Sequence, residues 1–214
     1  MKYSHIYFWT VVLGALIASP SGAQEPPIPI LPAEFKVTGL QDGDYLNVRA
    51  APSANAMDIG DLKPNDRVEV TAFDPNVGWA QIVYGEWTAW VYARYLEPVE
   101  TPLMVGTDLP ANMVCAGTEP FWSLTVANGT TAQFALAGEQ GQVENITYAG
   151  KSANHILRQG LQTTNWNAFI EKRKCSDGMS DRQMGISVEL MTRGQNSPAH
   201  YSGCCSIVLD ITGQ

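Results

Sequence analysis

The sequence predicts an all-β protein with two domains, a small barrel followed by a second β-barrel or meander that disulfides staple. Of its 214 residues only 16% are charged and 45% are hydrophobic, and the chain carries 19 glycines and 13 prolines. Solvent-facing helices need many Lys and Glu residues, so this composition disfavours them. Short segments that alternate apolar and polar residues recur between turn residues, which is the pattern of half-buried strands.

The chain begins with the three parts of a secretory signal peptide. Lys2 precedes an apolar stretch over residues 6–18, and small residues then lead to Ala23. The stretch is shorter than the roughly 18–20 residues that span a bilayer, and no second apolar run follows. We therefore expect a signal peptide over residues 1–23 that is cleaved after Ala23, and a periplasmic or secreted product without membrane insertion.

Two proline-bearing stretches divide the rest of the chain. Residues 24–34 predict an extended arm and residues 99–112 predict a linker. The expected domains are then residues 35–98 and 113–214. The formal net charge of −8 argues against a phosphate-binding surface, so nucleic acid is not an expected partner.

The first domain contains strand candidates separated by turns rich in Gly, Asp and Asn. They span residues 34–37, 45–49, 67–72, 79–84 and 88–91. Short strands so close together predict a small barrel. By alternation along the last strand, Trp90 should lie in the core, whereas Trp87, beside Glu86 in a turn, should be exposed.

Five segments of the first domain carry a recognisable pattern. They read LNVRAAPS at 46–53, IGDL at 59–62, DRVEV at 66–70, GWAQI at 78–82 and AWVYARYL at 89–96. In this order they resemble the bacterial SH3-type (SH3b) domain, although Ala89 stands where that family usually has Gly. The resemblance implies an SH3-like barrel over residues 35–98. It also implies a non-catalytic module of exported proteins that engages cell-wall peptides or other envelope partners.

The first domain is also rich in aromatic residues, which suit peptide and sugar recognition because a flat ring offers contact area at low entropic cost. Acids in its turns could hold an amine or a basic peptide, and ordinary solvated turn acids are the alternative interpretation. The ligand-binding candidates are Asp42, Asp44, Tyr45, Trp79, Glu86, Trp87, Tyr92 and Tyr95.

The second domain contains further strand candidates and a hairpin signal at Asn128-Gly129. The candidates span residues 121–127, 131–137, 144–149, 156–160, 167–174, 185–191 and 201–211. This number of strands predicts a compact meander or barrel.

An even number of cysteines in an exported protein predicts disulfides. Cys115, Cys175, Cys204 and Cys205 all lie in the second domain. Neighbouring residues of a strand point to opposite faces, so Cys204 and Cys205 should each pair with one of the distant cysteines, which leaves two connectivities. The cysteines and His200 lack the paired spacing of a zinc site, so we expect no metal and no cofactor.

Three segments around these cysteines read CAGTEPFW at 115–122, CSDGMSDR at 175–182 and GCC at 203–205. They are similar to segments of a poorly characterised family of bacterial exported or lipid-anchored proteins, a resemblance that implies no activity. The candidate site of the second domain consists of Glu119, Trp122, Asp177, Ser180, Asp181 and Arg182. The alternative is a helix-entry turn in which Ser180 or Asp177 caps backbone amides and Arg182 pairs with Asp181 or Glu119. We expect the Glu119–Arg182 pair.

No nucleophile elbow, zinc-protease helix or phosphate loop occurs in the sequence, so we expect no catalytic residues and a protein that is not an enzyme. The interpretation is an exported binding protein. Its first domain docks to cell-wall peptide, peptidoglycan or an envelope protein, and its second domain recognises a further partner. One alternative is an envelope hydrolase of cell-wall material with Glu119, Asp177 and Asp181 as acids. Another is a structural or stress-related assembly factor, and the oligomeric state stays open.

Overall fold

The computed structural model describes residues 29–193 and 198–209, which form two antiparallel β-sheets. The all-β prediction is confirmed. The predicted signal peptide, its cleavage site at Ala23 and the arm before Pro29 lie outside the described residues. Within the two described ranges, no helix has the length and apolar character needed to cross a membrane.

The first sheet has seven strands in the order β3-β2-β6-β5-β4-β1-β7. A 3₁₀ turn, Ala93–Tyr95, connects β6 to β7. The sequence analysis missed β3 and β7, because β3 has a single buried residue and β7 is only three residues long. The strands are β1 Ala33–Val37, β2 Leu46–Arg49, β3 Asp58–Leu62, β4 Arg67–Phe73, β5 Trp79–Tyr84, β6 Trp87–Tyr92 and β7 Leu96–Pro98.

The burial pattern along β6 contradicts the prediction that Trp90 lies in the core of the first domain. Ala89 and Val91 are fully buried, so Trp90 lies on the opposite face of the strand and is only half-buried. The small Ala89 takes the inward position because it pairs with the buried Ile82 of β5. Trp87 is 56% exposed, as predicted.

The second sheet has nine strands in the order β11-β10-β9-β8-β16-β15-β14-β13-β12. The sequence analysis missed β8 and merged β11 with β12 into one strand. The strands are β8 Met113–Gly117, β9 Trp122–Ala127, β10 Thr131–Leu136, β11 Val143–Asn145, β12 Tyr148–Lys151, β13 Arg158–Gln162, β14 Trp166–Cys175, β15 Met184–Thr192 and β16 His200–Ile207.

The two edges of the second sheet lie close together because only Ile146 and Thr147 join β11 to β12. The Ile146 N–H donates to the carbonyl of Thr130, and the Thr147 N–H donates to the carbonyl of Gln162. These hydrogen bonds attach the two connecting residues to both edges of the sheet. The sheet therefore curls around one hydrophobic core that includes residues 166, 168 and 170 of β14. The predicted hairpin at Asn128-Gly129 is present, with φ of 54° and 65°.

Two disulfides cross-link strands of the second sheet. Cys115 and Cys205 lie opposite each other on β8 and β16 and form a bond inside the core. Cys175 and Cys204 form the other bond, from the opposite face of β16. The structure selects this one of the two predicted connectivities.

Residues 99–112, the expected linker, pack onto the second core. Met104 and Leu109 are buried, and the N–H of Met104 donates to the carbonyl of Leu109 at 2.9 Å. The N–H of Ala111 donates to the carbonyl of Pro102 at 2.8 Å. This segment is a compact loop with buried apolar side chains.

Two acids are buried on the outer face of β1 and β4. Glu34 and Glu69 pair directly across the two strands, and each is 3% exposed. Glu34 accepts a hydrogen bond of 2.7 Å from the guanidinium of Arg67. The sequence analysis did not single out either residue, because an acid in an alternating strand normally faces water.

Glu69 lies where the first sheet meets the end of β16. Its Oε2 accepts a hydrogen bond of 3.0 Å from the N–H of Ile207, and its Oε1 is buried with no hydrogen-bond partner among the described residues. Burial raises the pKa of Glu69 to about 7, although hydrogen bonds from Ile207 and Ser206 act in the opposite direction and lower the pKa. A carboxyl group is thus enclosed between the two sheets.

Candidate functional site

An open cleft on the first sheet brings most of the predicted aromatic candidates together. It lies between the turn before β2, the loop after β2 and the residues that follow β6. Its volume is about 730 Å³. We call it the aromatic groove, and it is lined by Leu40, Asp44, Tyr45, Leu46, Asn47, Arg49, Pro52, Ser53, Ala54, Trp79, Tyr92 and Tyr95.

Strand pairing places three of the rings side by side. Trp79 opens β5 and Tyr92 closes β6, and the two residues pair in register. Their ring centroids lie 5.6 Å apart, and those of Tyr92 and Tyr95 lie 6.1 Å apart. The guanidinium of Arg94 lies 5.0 Å from the centroid of Tyr95. Tyr45 and Tyr92 are 55% and 41% exposed, so the groove offers accessible aromatic surface.

Polar groups fix one wall of the groove. Asn47 donates to the carboxylate of Asp58 at 2.6 Å, and the guanidinium of Arg49 lies 3.4 Å from the same carboxylate. Arg49 also donates to the carbonyl of Ala56 at 3.2 Å. Asp44 is exposed, and among the described residues its carboxylate has no ion pair. The sequence analysis missed Asn47 and Arg49, although both stand in the segment 46–53 that carries the SH3b pattern.

Three of the first-domain candidates lie outside the groove lining. Asp42 is exposed in the turn before β2. Glu86 and Trp87 lie at the turn between β5 and β6, where they approach the second sheet. Trp87 forms an isolated parallel bridge with Asp181.

In the second domain, the segment around Asp177 is a tight turn. Asp177 Oδ1 accepts hydrogen bonds from the N–H groups of Met179 at 3.0 Å and Ser180 at 2.9 Å. Partial burial raises the pKa of Asp177, but these hydrogen bonds and the Arg182 guanidinium outweigh it and hold the pKa below its usual range. The carboxylate thus caps backbone amides of the turn, as the alternative interpretation described, but the segment leads into strand β15 and not into a helix.

Arg182 connects this turn to the first sheet. Its Nη2 lies 3.4 Å from Asp177 and 3.6 Å from Glu86. The predicted pair with Glu119 is wrong, because Glu119 is an exposed residue of the turn between β8 and β9, with φ of 58°. The adjacent Asp181, the other expected partner, forms no ion pair with Arg182 in the described ranges, and Asp177 and Glu86 supply the ionic contacts of the guanidinium.

Thr88 and Asp181 complete this connection, which we call the domain clasp (Glu86, Thr88, Asp181, Arg182 and Gln183). The N–H and Oγ1 of Thr88 donate to the carbonyl of Asp181 at 3.2 and 2.7 Å. The N–H of Gln183 donates to Thr88 Oγ1 at 2.7 Å. The clasp thus uses candidates from both predicted sites.

Trp122 lies in the second core, where it is 4% exposed and packs against Phe134 and Tyr201. Gly117 and Gly203 leave the space that its indole fills. The structure therefore separates Trp122 from the clasp residues.

In the described ranges, no three His, Cys, Asp or Glu residues are grouped as metal ligands. The aromatic groove thus combines exposed aromatic rings, the Asp44 carboxylate, which has no ion pair among the described residues, and the Arg49 guanidinium, which Asp58 and the Ala56 carbonyl orient.

Comparison with known families agrees with this description of the first sheet. Residues 44–97 match the family model of the bacterial SH3 domain. A search of curated proteins found no match to the chain. Residues 44–97 are therefore a bacterial SH3 domain, and the resemblance stated for the second domain stays a prediction.

Proposed function

We propose that the protein is an exported, non-catalytic binding protein whose bacterial SH3 domain docks to a peptide of the cell wall or of an envelope protein. A second β domain, residues 113–214, recognises a further partner. The aromatic groove carries the proposal, because Tyr45 and Tyr92 expose their rings beside Trp79 and Tyr95. Two disulfides and a bacterial SH3 domain are typical of an extracytoplasmic protein.

The groove suits a short peptide that carries an amine. At about 30 Å³ for each water-sized group, a volume of about 730 Å³ holds about 24 such groups, the size of a few amino acid residues. Flat rings contact the backbone and apolar parts of such a chain. Asp44 supplies a carboxylate without an ion pair in the described chain, and it attracts a cation on the ligand.

Co-sedimentation of the mature chain, residues 24–214, with purified peptidoglycan tests the proposal. We expect the protein to pellet at both low and high salt, because contacts with aromatic rings are screened less than exposed charges. The variant Tyr92→Ala should bind about fivefold more weakly, which corresponds to about 1 kcal/mol for one aromatic contact.

The matched control is Tyr148→Ala, since Tyr148 is 53% exposed on the second sheet, away from the groove. It should bind like the wild type. Equal binding by the Tyr92→Ala and Tyr148→Ala variants would mean that the contact with peptidoglycan lies outside the aromatic groove. Failure of the wild type to pellet, together with the absence of any envelope protein cross-linked through the groove in intact cells, would refute the proposal.

A further inference from the structure

A second cavity lies between the two sheets, and its lining is more apolar than that of the aromatic groove. Its volume is about 240 Å³. The start of the described chain, residues 99–110 and the strands β14 and β16 all contribute to it, and it shares no lining residue with the groove. We call it the interdomain pocket, and its apolar walls include Ile30, Pro32, Val99, Leu103, Pro110 and Ile207.

Lys172 of β14 brings a cation into these apolar walls. The residue is 8% exposed, and its Nζ donates to the carbonyl of Ile30 at 3.3 Å. An ammonium group has three N–H donors. Among the described residues this is the only hydrogen bond of Nζ, which leaves two donors without a protein partner.

The nearby acid does not neutralise Lys172. Asp108 Oδ1 lies 2.6 Å from the ammonium of Lys151, so this carboxylate already has a cationic partner. Burial lowers the pKa of Lys172 below its usual range; Asp108 opposes this and Lys151 adds to it. Glu100, the other acid of the lining, is exposed to solvent. The pocket therefore holds one buried ammonium group among apolar side chains, while one of its two lining acids is paired with Lys151 and the other is exposed to solvent.

A buried ammonium is stabilised by an anion that also fills its hydrogen bonds. We propose that the interdomain pocket binds a small aliphatic carboxylate, with the carboxylate on Lys172 and the alkyl chain against the apolar walls. A cavity of about 240 Å³ has room for about eight water-sized groups, the number of heavy atoms in hexanoate. Such a ligand touches both sheets at once.

Calorimetric titration of the mature chain with hexanoate tests this site. We expect saturable binding of hexanoate and none of hexanol at the same concentration, because the alcohol lacks the charge. The variant Lys172→Met should weaken binding at least tenfold. The control Lys174→Met removes the same charge from an exposed position two residues along β14 and should leave hexanoate binding unchanged.

A second variant keeps the test valid if Lys172→Met does not fold. Leu103 is 51% exposed at the pocket wall, so Leu103→Glu should be tolerated and should weaken hexanoate binding at least fivefold by charge repulsion. The proposal is overturned if hexanoate gives no saturable heat. Equal binding of hexanol, or unchanged hexanoate binding in Leu103→Glu, would overturn it as well.

Discussion

Glu69→Gln should remove a large pH dependence of stability. The carboxyl of Glu69 has a pKa of about 7 in the folded chain and 4.5 as an unperturbed group, and burial is the main cause of the rise. Below pH 4.5 the group is protonated in both the folded and the unfolded chain. As the pH rises to about 7, the unfolded chain releases its proton first, so the free energy of unfolding falls.

The size of this effect follows from the two pKa values. One pKa unit corresponds to about 1.4 kcal/mol, so the rise from 4.5 to about 7 costs about 3 kcal/mol above pH 7. Gln keeps an oxygen that accepts from the N–H of Ile207 but carries no ionisable proton. Glu69→Gln should therefore match the wild type near pH 4.5 and exceed its stability by about 3 kcal/mol above pH 7.

Urea unfolding followed by tryptophan fluorescence measures this difference across the pH range. Glu139→Gln makes the same chemical change at an exposed turn of the second sheet and should follow the wild type at every pH. A gap between wild type and Glu69→Gln that stays constant with pH would refute the reasoning. It would mean that Glu69 is hydrated and that the two sheets do not enclose it.

Three further outcomes follow from individual contacts. Gly117→Ala should lower the free energy of unfolding by about 1–3 kcal/mol, because an added Cβ would overlap the Trp122 indole. Gly160→Ala is the control, because a Cβ at this position meets its neighbours at ordinary contact distances. Equal urea midpoints for the two variants would contradict the packing of Trp122 against Gly117. Thr88→Val should cost about 1–2 kcal/mol, since it leaves the N–H of Gln183 without its acceptor, and Thr88→Ser should restore the urea midpoint. Reduction of both disulfides should lower the free energy of unfolding by about 2–4 kcal/mol for each bond and so lower the melting temperature, and an unchanged melting curve in reductant would contradict this.

The local pattern of the chain was enough to predict most strands but not the closure of the second sheet. The strand predicted over 79–84 has the same bounds in the structure, because apolar and polar residues alternate there between clear turns. Residues 144–149 show a similar pattern, yet Ile146 and Thr147 cross from one sheet edge to the other. Which edge a short segment joins depends on pairing with distant strands, and a local pattern contains no such information.

The sequence was likewise enough to predict one part of the functional residues and not another. Tyr45, Trp79, Tyr92 and Tyr95 share one groove because they stand at strand ends and turns that the SH3b pattern places together. The burial of Glu69 could not be predicted, since its strand alternates normally and the covering surface comes from β16, far along the chain. Contacts between domains are invisible to a pattern that lies within one of them.

The domain clasp connects the second domain to the strand that ends in the aromatic groove. The Cys175–Cys204 bond fixes the start of the segment that carries Asp181 and Arg182, and this segment bonds to Thr88 of β6. Tyr92, at the far end of β6, lies in the groove. The clasp thus contacts β6 near its start, and the aromatic groove lies at the other end of the same strand.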